Sequence, residues 1–309
     1  MARPGTLRAG IPGAFLALGA LWALGIVVGR AAIASGMPGG LLGTIQIIAL
    51  GLGSLAVRVA LRPGPSAGAA RARFLGAAAL LLVVCPYMVT YIALEQVTAS
   101  LMAIVLTTTP LFTVLIVAVL RTEPLTPRRL SGVLLGLVGV SGLIWSQADD
   151  GVEAFRTHAA GFLALAFLSP ASYAIANVVC ASFSSGRAGP VRDAVDTNIV
   201  AASLVVLVAS FTVPFASAPS VSNLSSEAVW FTALAACANG LASVVFFIAL
   251  AADGPVDTST AGYVSAVVAA LLGMLFLGET FPVAAIGSAA LVLLGVWLSS
   301  RATRGGAER

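Results

Sequence analysis

Long apolar runs alternate with short polar segments along the chain, and each run is close to the roughly 20 residues that a helix needs to cross a bilayer. None of the ten runs carries an acidic residue in its middle. This pattern predicts an all-α polytopic membrane protein with ten transmembrane helices. The first run follows Arg3 and Arg8, as in a secretory signal, but it is long enough to span, so we expect an uncleaved helix. The runs cover residues 11–29, 40–60, 74–94, 98–120, 130–147, 160–181, 194–214, 229–250, 258–277 and 283–300.

The composition agrees with a chain that lies mostly in lipid. Hydrophobic residues make up 59% of the 309 residues and charged residues 9%, whereas a soluble domain carries about 25% charged residues. The three cysteines lie inside apolar runs without metal-binding spacing. We therefore interpret Cys85, Cys180 and Cys237 as reduced thiols that pack as small hydrophobic side chains.

The arginines predict the orientation of the helices. All 16 basic residues are arginine, and with the N-terminus inside, all except Arg30 and Arg156 fall on the inner side. An excess of basic residues marks the cytoplasmic side of membrane proteins. We therefore expect a multi-pass protein of the cell (plasma or inner) membrane with both termini in the cytoplasm.

A weak internal repeat divides the chain. Aligning Glu123 with Glu279 also aligns Gly139 with Gly295. Five helices in each half is an odd number, so the second half must be inverted relative to the first, as in many secondary transporters. The predicted units are a first repeat over 1–147, an outer loop over 148–159, a second repeat over 160–300 and a cytoplasmic tail over 301–309.

Motifs in both halves carry a family resemblance. The motifs are Leu21–Trp22 with Arg30, Ala99–Leu101, Thr109–Leu111, Glu123, Gly132–Gly139, Ala261–Tyr263, Leu277–Thr280, Gly287 and Leu293–Val296. In their order and spacing they resemble the EamA domain of the drug/metabolite transporter superfamily. The resemblance implies ten helices, a central cavity lined mainly by the first four and the sixth to ninth helices, and transport of small metabolites, often as export. Two positions depart from the usual pattern, since Ala266 stands where Pro110 has its counterpart and Arg121 and Thr122 precede Glu123.

Polar side chains inside the runs are the candidates for a substrate site, because lipid offers them no hydrogen-bond partner. Tyr87, Tyr91 and Glu95 share one helix face, and so do Ser169, Tyr173 and Asn177. Aromatic rings and amides could line an amphipathic cavity, although such residues also bond helices to each other. The candidate substrate-binding residues are Trp22, Arg30, Tyr87, Tyr91, Glu95, Tyr173, Asn177, Asn239 and Tyr263.

Several charged residues and prolines allow two interpretations. Arg30 could bind a substrate carboxylate or extend to the membrane interface. Glu95 could pair with Arg30, form an outer gate or be a solvated carboxylate. We expect Glu123 and Glu279 to stabilise helix starts. Three prolines, Pro86, Pro110 and Pro170, interrupt helices, and the glycines at 132, 136 and 139 predict a close helix contact.

These features favour a secondary transporter of small metabolites, such as amino acids or related amphipathic solutes, with export as the expected direction. The alternatives are a membrane-embedded enzyme or a non-transporting membrane subunit. The single histidine, His158, lies in an outer loop, and no nucleotide-binding or metal-binding motif is present. We therefore expect no catalytic activity, cofactor or metal, and no nucleic-acid partner. The expected partners are a small solute and the bilayer. The sequence is also compatible with a homodimer.

No carboxylate is evident at the predicted membrane midplane. Proton-driven carriers often use such a group. We therefore expect transport that does not depend on a buried acid. Either Glu95 serves from the outer side, or the carrier works by exchange or facilitated diffusion.

Overall fold

The computed structural model describes residues 14–61, 68–120, 127–146, 160–183, 189–212, 224–259, 261–279 and 283–301. Every regular element in these ranges is helical. The helices are α1 (Ala14–Ala34), α2 (Gly39–Leu61), α3 (Ala69–Ala78), α4 (Cys85–Ala93), α5 (Ala99–Leu106), α6 (Thr109–Val119), α7 (Pro127–Ser146), α8 (Ala160–Phe183), α9 (Pro190–Thr212), α10 (Ser226–Ser259), α11 (Ala261–Leu277) and α12 (Val283–Arg301).

Six helical stretches in these ranges are long and apolar enough to cross a membrane. Shorter apolar helical stretches lie at Leu165–Cys180 and Ala261–Leu277. The all-α, polytopic class predicted from the sequence is therefore confirmed, whereas the count of ten transmembrane helices stays a prediction. The six stretches are Leu16–Ala34, Gly39–Ala60, Ala69–Ala93, Ala99–Ile116, Pro190–Ser210 and Ser226–Ala252.

Two of the three prolines mark irregular helix geometry. Pro110 cannot donate a backbone hydrogen bond, and the helix breaks just before it between α5 and α6. The hydroxyls of Thr107, Thr108 and Thr109 each donate to the carbonyl three residues earlier, at 2.6 to 2.7 Å, so carbonyls at the break keep partners. By contrast, α8 continues through Pro170 as one helix. Membrane helices tolerate proline where neighbouring groups satisfy the freed carbonyls.

The second irregularity precedes Pro86. A π-helical segment, Ala79–Val84, joins α3 to α4. The carbonyl of Leu81 accepts a hydrogen bond of 2.7 Å from the hydroxyl of Ser172 on α8. In a π-helix this carbonyl would accept a hydrogen bond from the backbone N–H five residues later, which Pro86 lacks. A side chain on a neighbouring helix takes the place of that donor.

The helix α10 runs further than the apolar pattern predicts. Its predicted span ends at residue 250, but the helix continues to Ser259, two residues before the start of α11 at Ala261. Ala251 and Ala252 follow the apolar run, and alanine has the highest helix propensity. Helical backbone therefore extends beyond the residues that were predicted to lie in lipid.

Helices from the two halves of the chain pack against each other. The first helix, α1, packs on α10 and α11, and α8 packs on α4 and α6. Helix α2 packs on α9, and α7 packs on α12. The predicted glycine contact is confirmed, because a Cβ placed on Gly295 of α12 would lie 2.5 Å from the carbonyl oxygen of Gly132 on α7.

Candidate substrate cavity

One cavity lies where α1, α4, α6, α8, α10 and α11 converge, with one further wall from the end of α5. Six of the nine candidate residues line it, namely Trp22, Tyr87, Tyr91, Tyr173, Asn177 and Asn239. The pairs on α4 and α8 enter together because residues four apart share a helix face. The other lining residues are Gly25, Ile26, Thr90, Leu106, Thr109, Phe246, Ser259, Gly262 and Ser265.

Aromatic rings form much of the wall. The ring centroid of Trp22 lies 6.0 Å from that of Tyr173 and 6.2 Å from that of Phe246, and both pairs are tilted. Tyr87 and Tyr91 lie next to each other with centroids 6.2 Å apart. Phe246 was missed from the sequence, although it is seven residues after Asn239 and therefore on the same face of α10.

A chain of hydrogen bonds fixes the orientation of Asn239. Its side-chain N–H₂ donates to the hydroxyl oxygen of Tyr91 at 2.8 Å and to the side-chain amide oxygen (Oε1) of Gln46 at 3.3 Å. The Gln46 amide in turn donates to the backbone carbonyl of Thr232 at 3.0 Å. Gln46 is fully buried behind the cavity wall. Sequence analysis missed it, although an amide inside an apolar run is costly to keep and was the available signal.

Other polar atoms in the cavity have no such partner. The side-chain oxygen of Asn177 and the hydroxyl of Ser265 are buried and form no hydrogen bond within the described part of the chain. The two residues are only 2% and 1% exposed, respectively. Since a buried polar atom without a partner costs free energy, these two atoms are the ones that a bound molecule would satisfy.

Glycines on α1 make room for the polar wall. A Cβ placed on Gly25 would lie 2.5 Å from the side-chain oxygen of Asn239, and one placed on Gly29 would overlap the ring of Tyr91. Any larger residue at these two positions would displace a cavity side chain. The backbone of α1 therefore sets the position of both Asn239 and Tyr91.

The cavity is nearly closed in this conformation. Its volume is about 40 Å³ when measured at the centres of water-sized spheres. One water needs about 10–15 Å³ on this measure, so the space holds only a few waters. A metabolite-sized molecule could enter only if the surrounding helices moved apart.

Three candidate residues do not line the cavity. Arg30 lies inside α1 and is half-buried, and Tyr263 packs instead against Leu111 and Val114 of α6. Tyr263 follows the lining residue Gly262, and a step of one residue turns a side chain to another face of the helix. Glu95 accepts a hydrogen bond of 2.6 Å from the backbone N–H of Gly39 at the start of α2. No ion pair between Arg30 and Glu95 is found among the described residues.

Glu279 stabilises a helix start, and this helix lies in the other half of the chain. Its carboxylate accepts hydrogen bonds from the backbone N–H groups of Ala99 at 2.8 Å and Ser100 at 3.0 Å, at the start of α5. Glu279 therefore stabilises the start of a helix in the first half of the chain, and not only its own part of the sequence. Gly278, with φ of +64°, turns the chain out of α11 and places Glu279 there. Its counterpart Glu123 lies outside the described residues.

A cluster of charges away from the cavity was also missed. Asp193 and Asp196 on α9 are buried. Arg71 on α3 bonds to both, at 2.9 Å and 2.7 Å, and Arg58 on α2 pairs with Asp196. Arg192 lies 3.6 Å from Asp196. The available signal was two acids three residues apart at the start of an apolar run, where they share one helix face.

These features define a class. The chain is a multi-pass helical membrane protein with a small, aromatic and amide-lined cavity between helices of its two halves. Residues 10–145 match the EamA-like transporter family, so this part of the chain is an EamA-like domain of the kind found in the drug/metabolite transporter superfamily.

Comparison with known proteins adds the fold alone. A solved crystal structure is similar over 95% of this chain and 98% of its own, with a TM-score of 0.65 and 21% sequence identity. No curated protein matches the sequence.

Proposed function

We propose that this chain is a secondary transporter that moves small amphipathic metabolites, such as amino acids or related solutes, across the cytoplasmic membrane, with export as its expected direction. The observation that carries the proposal is the cavity, because side chains from both halves of the chain converge on one small volume. A carrier needs a site that can face either side in turn, and such sites lie between repeats near the midplane.

The packing of the helices supports two related halves. The first helix of each half, α1 or α8, packs on two elements of the other half, and α2 packs on α9 as α7 packs on α12. This pattern of contacts is unchanged when the halves are exchanged. We therefore retain the predicted inverted repeats and the ten transmembrane helices as parts of the proposal, with both termini in the cytoplasm.

The chemistry of the wall supports an amphipathic solute. Trp22, Tyr173 and Phe246 offer apolar contact through their rings, while Asn177 and Ser265 offer polar atoms without partners in the described structure. A few polar groups in a mostly apolar pocket are typical of small-molecule sites. Members of the matching family are transporters, which favours transport over the alternatives of an enzyme and a non-transporting subunit.

The solute is identified first in cells. Extracellular metabolites are compared between a deletion strain and an overexpressing strain, and the compounds that differ are tested with the purified chain in proteoliposomes. Transport by the purified chain, with the solute recovered chemically unchanged, supports a carrier. Chemical conversion would indicate an enzyme, and activity only with another protein would indicate a subunit.

The cavity is tested with a pair of tryptophan variants. Trp22→Ala removes a ring from the cavity wall, whereas Trp230→Ala removes one that is 75% exposed on α10. We expect Trp22→Ala to lower transport at least about tenfold, because a buried aromatic side chain dominates the contact area of a site, and Trp230→Ala to leave it nearly unchanged. Equal effects of the two substitutions on transport would count against this cavity as the site.

A further inference from the structure

We propose that the cavity selects solutes without net charge that carry a flat aromatic body and one polar end able both to donate and to accept hydrogen bonds. This inference rests on the proposed transport function and names the substrate class of the same site. Three observations carry it: the absence of charged side chains from the lining, the aromatic wall, and the two buried polar atoms of the lining that have no partner within the described residues.

The charge of the solute follows from the lining. None of the fifteen lining residues, all within the described part of the chain, is Arg, Lys, His, Asp or Glu. A net charge buried without a partner is strongly disfavoured. The acids that the structure places elsewhere are already engaged, since Glu95 accepts from Gly39 and Glu279 from Ala99 and Ser100.

An organic cation is the main competing class. The faces of Trp22, Tyr87 and Tyr173 could attract an ammonium group through cation–π interactions. A buried ammonium also loses its hydration, and no carboxylate lines the cavity to compensate for that loss. The uncharged solute is therefore favoured, and a cation becomes one arm of the test.

The polar end of the solute is placed by the two polar atoms without partners. The side-chain oxygen of Asn177 on α8 needs a donor, and the hydroxyl of Ser265 on α11 can both donate and accept. Asn239 and Tyr91, by contrast, already bond to each other. A carboxamide or a similar group offers both a donor and an acceptor, so its polar end is expected between Asn177 and Ser265.

Three compounds with the same indole body separate the charge classes. Indole-3-acetamide is uncharged, tryptamine is a cation and indole-3-acetate is an anion at pH 7. Dissociation constants are measured by titration calorimetry with the purified full-length chain in detergent. We expect the acetamide to bind at least about tenfold more tightly than either charged compound. Tighter or equal binding of tryptamine or of indole-3-acetate would overturn the proposal.

Variants locate the polar end. Asn177→Leu and Ser265→Ala should each weaken binding of the acetamide by at least about fivefold, since each removes a hydrogen bond to the ligand. Ser203→Ala is the matched control, because Ser203 is exposed on α9 and donates to the carbonyl of Ile199 in its own helix. Thermal unfolding accompanies each measurement. Removing a polar atom that has no partner should not lower the melting temperature, so weaker binding without a lower melting temperature supports the assignment.

The outcomes separate this inference from the proposed function. If Trp22→Ala abolishes transport of a solute while a charged indole binds best, the transporter stands and the charge rule is wrong. If none of the three compounds binds, the substrate class is wrong whatever else the chain transports. If the acetamide binds but the purified chain moves no solute, the site stands as a binding site and the transport function is wrong.

Discussion

The carboxylate of Glu279 accepts hydrogen bonds from both the backbone N–H and the hydroxyl of Ser100, at 3.0 Å and 2.5 Å. It also accepts from the N–H of Ala99, while Thr98 accepts from Leu101. The first N–H groups of α5, which have no partners within the helix, are thereby satisfied. The negative charge also faces the positive end of the helix dipole. One residue of the second half therefore holds a helix of the first half in place.

Replacing this carboxylate should destabilise the protein more than replacing an exposed one. Glu279→Ala leaves two N–H groups at the start of α5 without their acceptor, and we expect a loss of about 1–3 kcal/mol in the free energy of unfolding. Glu227→Ala is the control, because Glu227 is exposed in the first turn of α10, where a carboxylate contributes about 0.3–1 kcal/mol. Unfolding in detergent measures both. Equal losses would mean that the contact with α5 contributes nothing specific.

A methyl group added at Gly25 of α1 should displace a side chain of the cavity wall. In Gly25→Ala the new Cβ would lie 2.5 Å from the side-chain oxygen of Asn239, so the amide must shift and its hydrogen bond to Tyr91 is weakened. We expect substrate affinity to fall about fivefold to tenfold, because the shifted amide and the Tyr91 ring beside it change the shape of the cavity wall. Gly53→Ala is the control, because a Cβ there meets nothing within 4 Å. A Gly25→Ala protein with unchanged affinity would contradict the role of Asn239 in the site.

Spacing along the sequence predicted the face on which a residue lies, but not the neighbour that it meets. Tyr87, Tyr91, Tyr173 and Asn177 reach one cavity because each pair is four residues apart. Tyr263 was also a candidate as a polar residue inside an apolar run, yet its side chain packs against Leu111 and Val114 of α6.

Long-range partners were beyond the reach of local pattern. The dipole argument correctly predicted that Glu279 serves a helix start, but the helix is α5, about 180 residues earlier in the chain. Asp196 likewise finds Arg58 and Arg71 only through the packing of α9 on α2 and α3. Such pairs depend on tertiary structure, which one sequence without related sequences does not reveal.

The amide behind the cavity should contribute to both stability and orientation. Gln46→Leu removes the side-chain hydrogen bond to the carbonyl of Thr232 and takes away one acceptor of the Asn239 amide. We expect a loss of about 1–3 kcal/mol in stability together with weaker substrate binding. Gln96→Leu, at an exposed position between α4 and α5, is the matched control. A double variant with Asn239→Leu should lose less than the sum of the two single losses, because the residues share one network. Additive losses would contradict that network.

The charged cluster should control access to a native cysteine. Cys180 on α8 is fully buried and lies within electrostatic reach of Asp193, at the end of the bundle where Arg58 and Arg71 hold α9 against α2 and α3. Asp196→Asn removes the charge that both arginines share, so α9 should separate from these helices more often.

In a background of Cys85→Ala and Cys237→Ala, we expect maleimide to modify Cys180 several times faster than in the parent, whereas Glu227→Gln should leave the rate unchanged. Because Asp196→Asn also removes one partner of a buried ion pair, the variant is expected to be less stable, and its thermal unfolding is therefore measured in parallel. Faster labelling well below the unfolding transition indicates that the cluster closes this end of the bundle, and an unchanged rate would show that it does not.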